Sequence, residues 1–338
     1  MSRYATQLEH QIRSQPEQLE HVLTSGSVKA QVHAAAEALH RVRRIWVVGT
    51  GTSQHAANLG AAMLQDAGRS AHAVSSMQFV KNAPIVGPQD GVVVITHTGE
   101  TAYALAARAL AFSAGLQTVT ICREGSSFND AIQTVEKETS ETYTVSYTTA
   151  LLALGMLASA MGADAITADK LALVPSSVRN AIESNGTEAV PVPGRVLSIV
   201  GAGHTAVTAR EGALKVREAA RVLAEGFDAE FFLHGTAVPL TAQDHVLALT
   251  TPDDDGLVEG VARAAEAEGI GVTRLPEPSR LPGVLAQIPL VARLHMLALR
   301  FATERGQDPD TVIVGHWDDP KLWSIGSPLP ERPPAAAT

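Results

Sequence analysis

The sequence predicts an α/β protein built on parallel sheets, and three observations predict it. Short apolar runs of strand length alternate with segments whose apolar residues recur at helical spacing. The runs end abruptly in turns rich in glycine and hydroxyl groups. The pattern also occurs twice. Ile45-Trp46-Val47-Val48 leads into Gly49-Thr50-Gly51-Thr52-Ser53, and Val196-Leu197-Ser198-Ile199-Val200 leads into Gly201-Ala202-Gly203-His204-Thr205. Such alternation means parallel strands whose connecting helices cover both faces of a sheet. Two copies predict two such units, because a solenoid repeats at a far shorter period.

The elements follow in order. Helices are expected over residues 5–24 and 28–43, a strand over Ile45 to Val48, and a helix over Asn58 to Ala67. Ala71 to Val74, Val92 to Ile95 and Val119 to Cys122 read as strands, Ala102 to Ala114 as a helix, and Gln133 to Val135 as the start of a short fifth strand. Tyr147 to Met161, rich in Ala and Leu, closes the unit as a helix. Residues 184–195 carry two prolines and two glycines and read as a linker. The second unit runs through strands at Val246 to Thr250 and Val272-Thr273 to a helix over Leu285 to Glu304. The expected organisation is thus 1–183, a linker 184–195, 196–320, and a tail 321–338 rich in Pro, Ala and Ser, whose 334–338 end is expected to pack against nothing.

Composition bounds the function. The 338 residues suffice for two domains with cores, and 45% apolar against 18% charged residues excludes a disordered chain. A net charge of −9 argues against nucleic acid as a general partner. The single cysteine, Cys122, ends an apolar run and reads as a buried thiol, with no intrachain disulfide. The start of the chain is a polar helical segment rather than an apolar targeting sequence, and no run of about 18 apolar residues offers a membrane span. A cytoplasmic enzyme or sensor is expected, with no cofactor and no metal.

The chemistry concentrates at two turns. Val92-Val93-Val94-Ile95 stops in Thr96-His97-Thr98-Gly99-Glu100-Thr101, and a helix follows at once. Hydroxyls and the free N–H groups of a helix start converge there, which suits an anion and a phosphate in particular. Gly51-Thr52-Ser53 forms a second such turn. A dinucleotide site is disfavoured, since the third glycine is missing at its spacing and no acid closes the next strand to hold a ribose. In the second half, Glu211-Gly212-Ala213-Leu214-Lys215-Val216-Arg217-Glu218 places Lys215 and Glu218 on one helix face, while Glu211 and Lys215 read as a solvent salt bridge. His234 lies between an apolar run and Gly235-Thr236, as at the mouth of a pocket, and histidine is the side-chain type suited to acid–base work at neutral pH.

These residues resemble the double SIS (sugar isomerase) proteins: the isomerase domain of glutamine–fructose-6-phosphate aminotransferase and its stand-alone isomerase, deaminase and deglycase relatives. Gln11-Ile12-Arg13-Ser14-Gln15-Pro16 looks like the family's E-I-x-E-Q-P opening, and Gly51-Thr52-Ser53 matches its G-T-S turn. Thr96 to Thr101 matches S-Q-S-G-E-T, Gly125-Ser126-Ser127 matches the turn after the fourth strand, Glu211 to Glu218 matches E-G-A-L-K-L-K-E, and Leu233-His234-Gly235 matches K-H-G-P in part. The resemblance implies two three-layer αβα units of flavodoxin-like kind and a sugar phosphate as ligand. Gly51, Thr52, Ser53, Thr96, His97, Thr98 and Thr101 would hold its phosphate. Glu218 would move a proton between C1 and C2, Lys215 would contact the sugar or Glu218, and His234 would assist ring opening, often from a second subunit, so that a homodimer is implied.

The departures bear on the substrate. The family's A-S-T-K-A-F-T-T segment appears as Tyr143 to Thr149 without its lysine, and Met77-Gln78 stands where A-S-E-F carries a glutamate. Thr236 replaces the proline after His-Gly. The family ending starts as Asp308-Pro309-Asp310 and diverges, leaving Lys321 as a substitute for its substrate-contacting lysine. No glutaminase half precedes the match, so ammonia is not expected from this chain. The reading is isomerisation or deamination of an (amino)hexose phosphate. The alternatives are a fructosamine-6-phosphate deglycase, which Phe231-Phe232-Leu233-His234-Gly235 resembles, and a phosphosugar sensor without turnover. No helix-turn-helix segment precedes the first unit, which disfavours a transcription regulator.

Overall fold

The structure is a computed structural model that describes residues 5–82, 86–252, 254–278 and 280–327; the expected tail end at 334–338 lies outside them. Two leading helices, α1 (Gln7–Thr24) and α2 (Gly26–His40), precede β1 (Arg44–Gly49), α3 (Thr52–Asp66), β2 (Ser70–Ser75), α4 (Ser76–Lys81), β3 (Asp90–Ile95), α5 (Ala102–Ser113), β4 (Gln117–Cys122), β5 (Ala131–Gln133) and α6 (Val145–Ala160). Short helices α7 (Ala168–Ala172) and α8 (Val174–Glu183) lead to the second sheet. It comprises β6 (Leu197–Gly201), α9 (His204–Ala220), β7 (Ala224–Asp228), α10 (Ala229–Phe231), β8 (His245–Thr250), α11 (Leu257–Ala267), β9 (Gly271–Pro276) and α12 (Gly283–Arg305). A last short helix, α13 (Pro320–Trp323), lies beyond.

Both sheets are parallel, ordered β2-β1-β3-β4-β5 and β7-β6-β8-β9. The second order repeats the first with one strand fewer, as the duplicated glycine turns suggest. In each, the chain reverses its direction of travel across the sheet at the first strand, β1 or β6. The crevice beside that strand's C-terminal end is where open parallel sheets place ligands.

Several boundaries differ from expectation for physical reasons. The second helix stops at His40, because the Arg69 guanidinium takes the carbonyls of Leu39, His40 and Val42. The helix after the first glycine turn begins at Thr52 instead of Asn58, since its polar first turns face the site and carry no apolar stripe. The fifth strand pairs through Ala131–Gln133, before its expected start. Strand β7 was not expected at all: Ala-Glu-Gly-Phe-Asp lacks β-branched residues, and its place is fixed by packing. A Cβ at Gly226 would stand 2.3 Å from the backbone nitrogen of Arg210, so only glycine lets β7 lie against α9.

One apolar cluster runs through both sheets, from Leu8 and Ile12 of α1 through Leu151 and Leu154 of α6 to Leu197, Val216 and Leu294. α6 is buried on nearly every side. α12 is the one described helix long and apolar enough to cross a membrane, and 89% of its most apolar window is buried inside the protein. It crosses α9 so closely that a Cβ on Gly212 would meet the Leu294 side chain at 2.3 Å. Segment 184–195 has no helix or strand, yet it is pinned: the Arg300 guanidinium donates to the carbonyls of Thr187 and Val190. Beyond α12 the chain returns to α1, whose first N–H groups at Gln7 and Leu8 donate to the Asp310 carboxylate at 2.8 and 2.7 Å.

Candidate active site

The site is built on the C-terminal edge of the first sheet. Thr96 continues β3 for one residue, donating its N–H to Ile121 O at 2.9 Å, and its hydroxyl is buried with no partner in the chain. Gly99 then takes a φ of +70°, which folds the turn back over itself. Thr98 Oγ1 accepts the Glu100 N–H at 3.2 Å, and Glu100 pairs with Lys137 at the rim. Thr101 is the N-cap of α5 and makes no capping bond with its side chain, so the first N–H groups of that helix stay open. The neighbouring turn is equally tight. A Cβ at Gly49 would lie 2.2 Å from Ser53 O, and Gly51, at φ +56°, precedes α3 without a side-chain cap.

His97 serves the frame of this turn. Its ring stands edge-on to Tyr143, centroids 6.0 Å apart, and its Nε2 accepts the Glu138 N–H at 3.4 Å. Burial pushes its pKa below the usual histidine value, so the ring is neutral at pH 7. Behind the turn is a cavity of about 20 Å³, room for one water, lined by Ser53, His97, Cys122, Ser146 and Tyr147. Cys122 is buried and its thiol pKa is raised by burial, which keeps it protonated.

α9 brings the second half of the site across. Its axis carries Glu211, Lys215 and Glu218 on one face. The expected solvent salt bridge is instead a fully buried pair: Glu211 and Lys215 are both 0% exposed, 3.4 Å apart. Lys215 Nζ lies 2.5 Å from Glu218 Oε2, and the Glu218 side chain is 21% exposed. The far side of Glu211 reaches the first turn, where Thr52 donates its hydroxyl at 3.1 Å and His55 Nδ1 stands at 2.6 Å. Thr52 is therefore spoken for by Glu211, while Thr96, Thr98 and Thr101 line the anion turn.

The electrostatics separate the two carboxylates. Burial raises the pKa of Glu211, but Lys215 and His55 outweigh it and bring it down to about 2. For Glu218 burial wins over the single cation Lys215, and its pKa is raised. Burial also opposes the charge of Lys215, yet Glu218 and Glu211 together hold its pKa above the usual lysine value. An ionised pair thus flanks one carboxyl whose pKa is raised.

Two sequence-expected residues are not gathered here. His234 is exposed on a π turn, Phe232–Thr236, where Gly235 takes φ +104°, and it is not a partner of Glu218 within the chain. Lys321 is exposed on α13. Sequence reasoning missed Glu211, His55 and Glu138. The spacing Glu211, Lys215, Glu218 was the available signal for the first. Glu138 had none: its buried carboxylate accepts the N–H groups of Thr144, Val145 and Ser146 only because the loop before α6 folds back on the helix start.

Residues 38–160, from the end of α2 to the end of α6, match the SIS domain family model. The chain carries a SIS domain. Among curated relatives, the glutamine–fructose-6-phosphate aminotransferase [isomerizing] of Pyrococcus horikoshii is 30% identical over 319 residues, covering 84% of this chain and 53% of the relative. That of Thermococcus kodakarensis is 28% identical over 316 residues, covering 82% and 52%. The SIS chain thus spans about half the length of the curated relatives it matches. Its fold is that of the tagatose-6-phosphate ketose/aldose isomerase of Escherichia coli, with a TM-score of 0.77 at 20% identity over 93% of this chain and 98% of that one. The glucosamine-6-phosphate deaminase of Thermotoga maritima gives a TM-score of 0.72 at 16% identity over 91% and 97%. These overlaps take in both sheets, so the shared fold extends beyond the residues that the family model matches.

Proposed function

We propose that this SIS protein is an enzyme that isomerises or deaminates an (amino)hexose phosphate by shuttling one proton between C1 and C2. The observation that supports the proposal is the continuous chain of contacts Thr52–Glu211–Lys215–Glu218, which ties a carboxyl of raised pKa to the turn at Thr52. Thr96, Thr98, Thr101, Ser53 and the open N–H groups of α5 hold the phosphate with neutral donors. The buried Thr96 hydroxyl, lacking a partner in the chain, gains one from a bound oxyanion.

The sugar end follows from the same geometry. Glu218, ionised, takes the proton from one carbon and returns it to the other, and its raised pKa brings its basicity toward that of the group it serves. Lys215 stays charged throughout and offsets the negative charge that develops on the substrate oxygen. His234, exposed in the single chain, supplies acid–base help at the ring oxygen from the second subunit of a homodimer. The curated relatives named as isomerizing aminotransferases, and fold neighbours named as an isomerase and a deaminase, support this class of chemistry. The test is incubation with fructose 6-phosphate and glucosamine 6-phosphate, following sugar interconversion and ammonia release. Turnover of neither, with tight binding of both, would favour a phosphosugar sensor; turnover only of a 6-phosphorylated fructosamine would make the enzyme a deglycase.

A further inference from the structure

The chain of contacts through Glu211 extends one residue farther than proton transfer itself needs. His55, in the first turn of α3, sets Nδ1 2.6 Å from Glu211 Oε2, while Thr52 donates to Oε1 at 3.1 Å. Lys215 stands between two carboxylates that compete for it, 2.5 Å from Glu218 and 3.4 Å from Glu211. Both oxygens of Glu211 are occupied from the α3 side, and Lys215 leans toward Glu218. Glu211 and Lys215 are fully buried, so neither can turn to water when a partner is lost.

We propose that His55 is a positioning residue: by holding Glu211 it releases Lys215 to Glu218, and so decides how readily Glu218 exchanges its proton. This role rests on the reading of Glu218 as the proton-transfer group. The physical argument is competition for one ammonium in a low-dielectric site, where a shift of an ångström changes the Coulomb attraction strongly. Without the imidazole, Glu211 draws Lys215 inward and Glu218 binds its proton more tightly. Without the charge of Glu211, Lys215 belongs to Glu218 alone and the proton is held less tightly. The other groups facing this cluster are Tyr147 of α6, His295 of α12, and Tyr143 and Glu138 of the loop before α6. None of the four is replaced in the variants below, although Tyr147 and His295 also feel the charge of Glu211.

The test uses the full chain and does not depend on knowing the substrate. The carboxyl band of Glu218, identified by its loss in Glu218→Gln, is titrated by infrared spectroscopy in the wild type, His55→Ala, His55→Asn and Glu211→Gln. The midpoint is expected to rise by about one pH unit in His55→Ala. It should return toward wild type in His55→Asn, whose amide can donate to Glu211, and fall in Glu211→Gln. Displacement of His55→Ala and Glu211→Gln in the same direction, or no displacement in either, overturns the proposal and leaves His55 a packing residue. Should Glu211→Gln fail to fold, the contrast between His55→Ala and His55→Asn decides alone: equal midpoints overturn it. Unimpaired turnover by Glu218→Gln would instead sink the proposed function.

Discussion

Glu218 combines partial exposure with a pKa that burial raises against the opposing pull of Lys215. Lys215, itself fully buried, anchors one of the Glu218 oxygens. Replacing it with Gln keeps the shape and removes the proton carrier. Proton exchange between C1 and C2 of fructose 6-phosphate in D2O should fall by about 10²-fold or more, while calorimetric binding of the sugar phosphate changes little. Thr98→Ala should do the reverse, weakening binding about fivefold for one lost hydrogen bond; unchanged affinity would remove Thr98 from the phosphate turn. Acid should also find this core vulnerable. His295 is fully buried, and burial drops its pKa to about 3, so the folded chain keeps it neutral where the unfolded chain protonates it. Glu211, at about 2, stays ionised where the unfolded chain protonates it. In both cases the unfolded state binds more protons, so stability is lost as pH falls below about 6.5 for His295 and below about 4.5 for Glu211. Melting temperature should therefore decline between pH 6.5 and 4, and less steeply in His295→Gln; parallel slopes would refute the assignment.

At the scale of elements, the site depends on where helices begin. α5 starts at its turn with N–H groups uncapped by a side chain, which leaves donors for a ligand, whereas the first N–H groups of α3, at Ser53 and Gln54, turn back to the carbonyls of Thr50 and Gly51. α6 starts oppositely, with Glu138 closing its first N–H groups. That cap fixes the segment that carries Tyr143 and Ser146, where Tyr143 stands against the His97 ring and Ser146 shares the small cavity behind the turn. Glu138→Ala would leave buried N–H groups unpaired and should lower stability by about 2 kcal/mol or more. Its phosphate-ligand affinity should fall as well, because the turn loses its backing. A variant with wild-type melting and binding would show that the cap is dispensable.

At the scale of the molecule, the two sheets share one core but divide the labour. The first provides hydroxyls at its switch-point crevice. The equivalent crevice of the second is flanked by Asp254 and Asp255, which repel a phosphate, so its contribution comes through α9. His234 sits with Phe231 and Leu233 on a surface that is 64% and 52% exposed at those two apolar residues. Exposed apolar side chains beside a would-be catalytic group fit a site completed by a second subunit. Mixing Glu218→Gln with His234→Ala chains after unfolding and refolding together should restore part of the activity that each lacks alone. No recovery would place His234 outside the reaction or within its own subunit's site.

The sequence by itself determined what depends on short-range pattern. Alternation of strand and helix signals, the twin glycine turns and the one-face spacing of Lys215 and Glu218 were legible because each is written within a few consecutive residues. They sufficed for the α/β class and the two parallel sheets. Tertiary structure decided what depends on burial and on contacts across long separations. Only packing turned Glu211 and Lys215 from a surface pair into a buried one, joined Thr52 and His55 to a helix about 160 residues away, and made a strand of Ala224–Asp228. The reason is physical: hydrogen-bonding pattern and periodicity are local, whereas the dielectric around a charge, and hence its chemistry, is set by whatever the whole fold places against it.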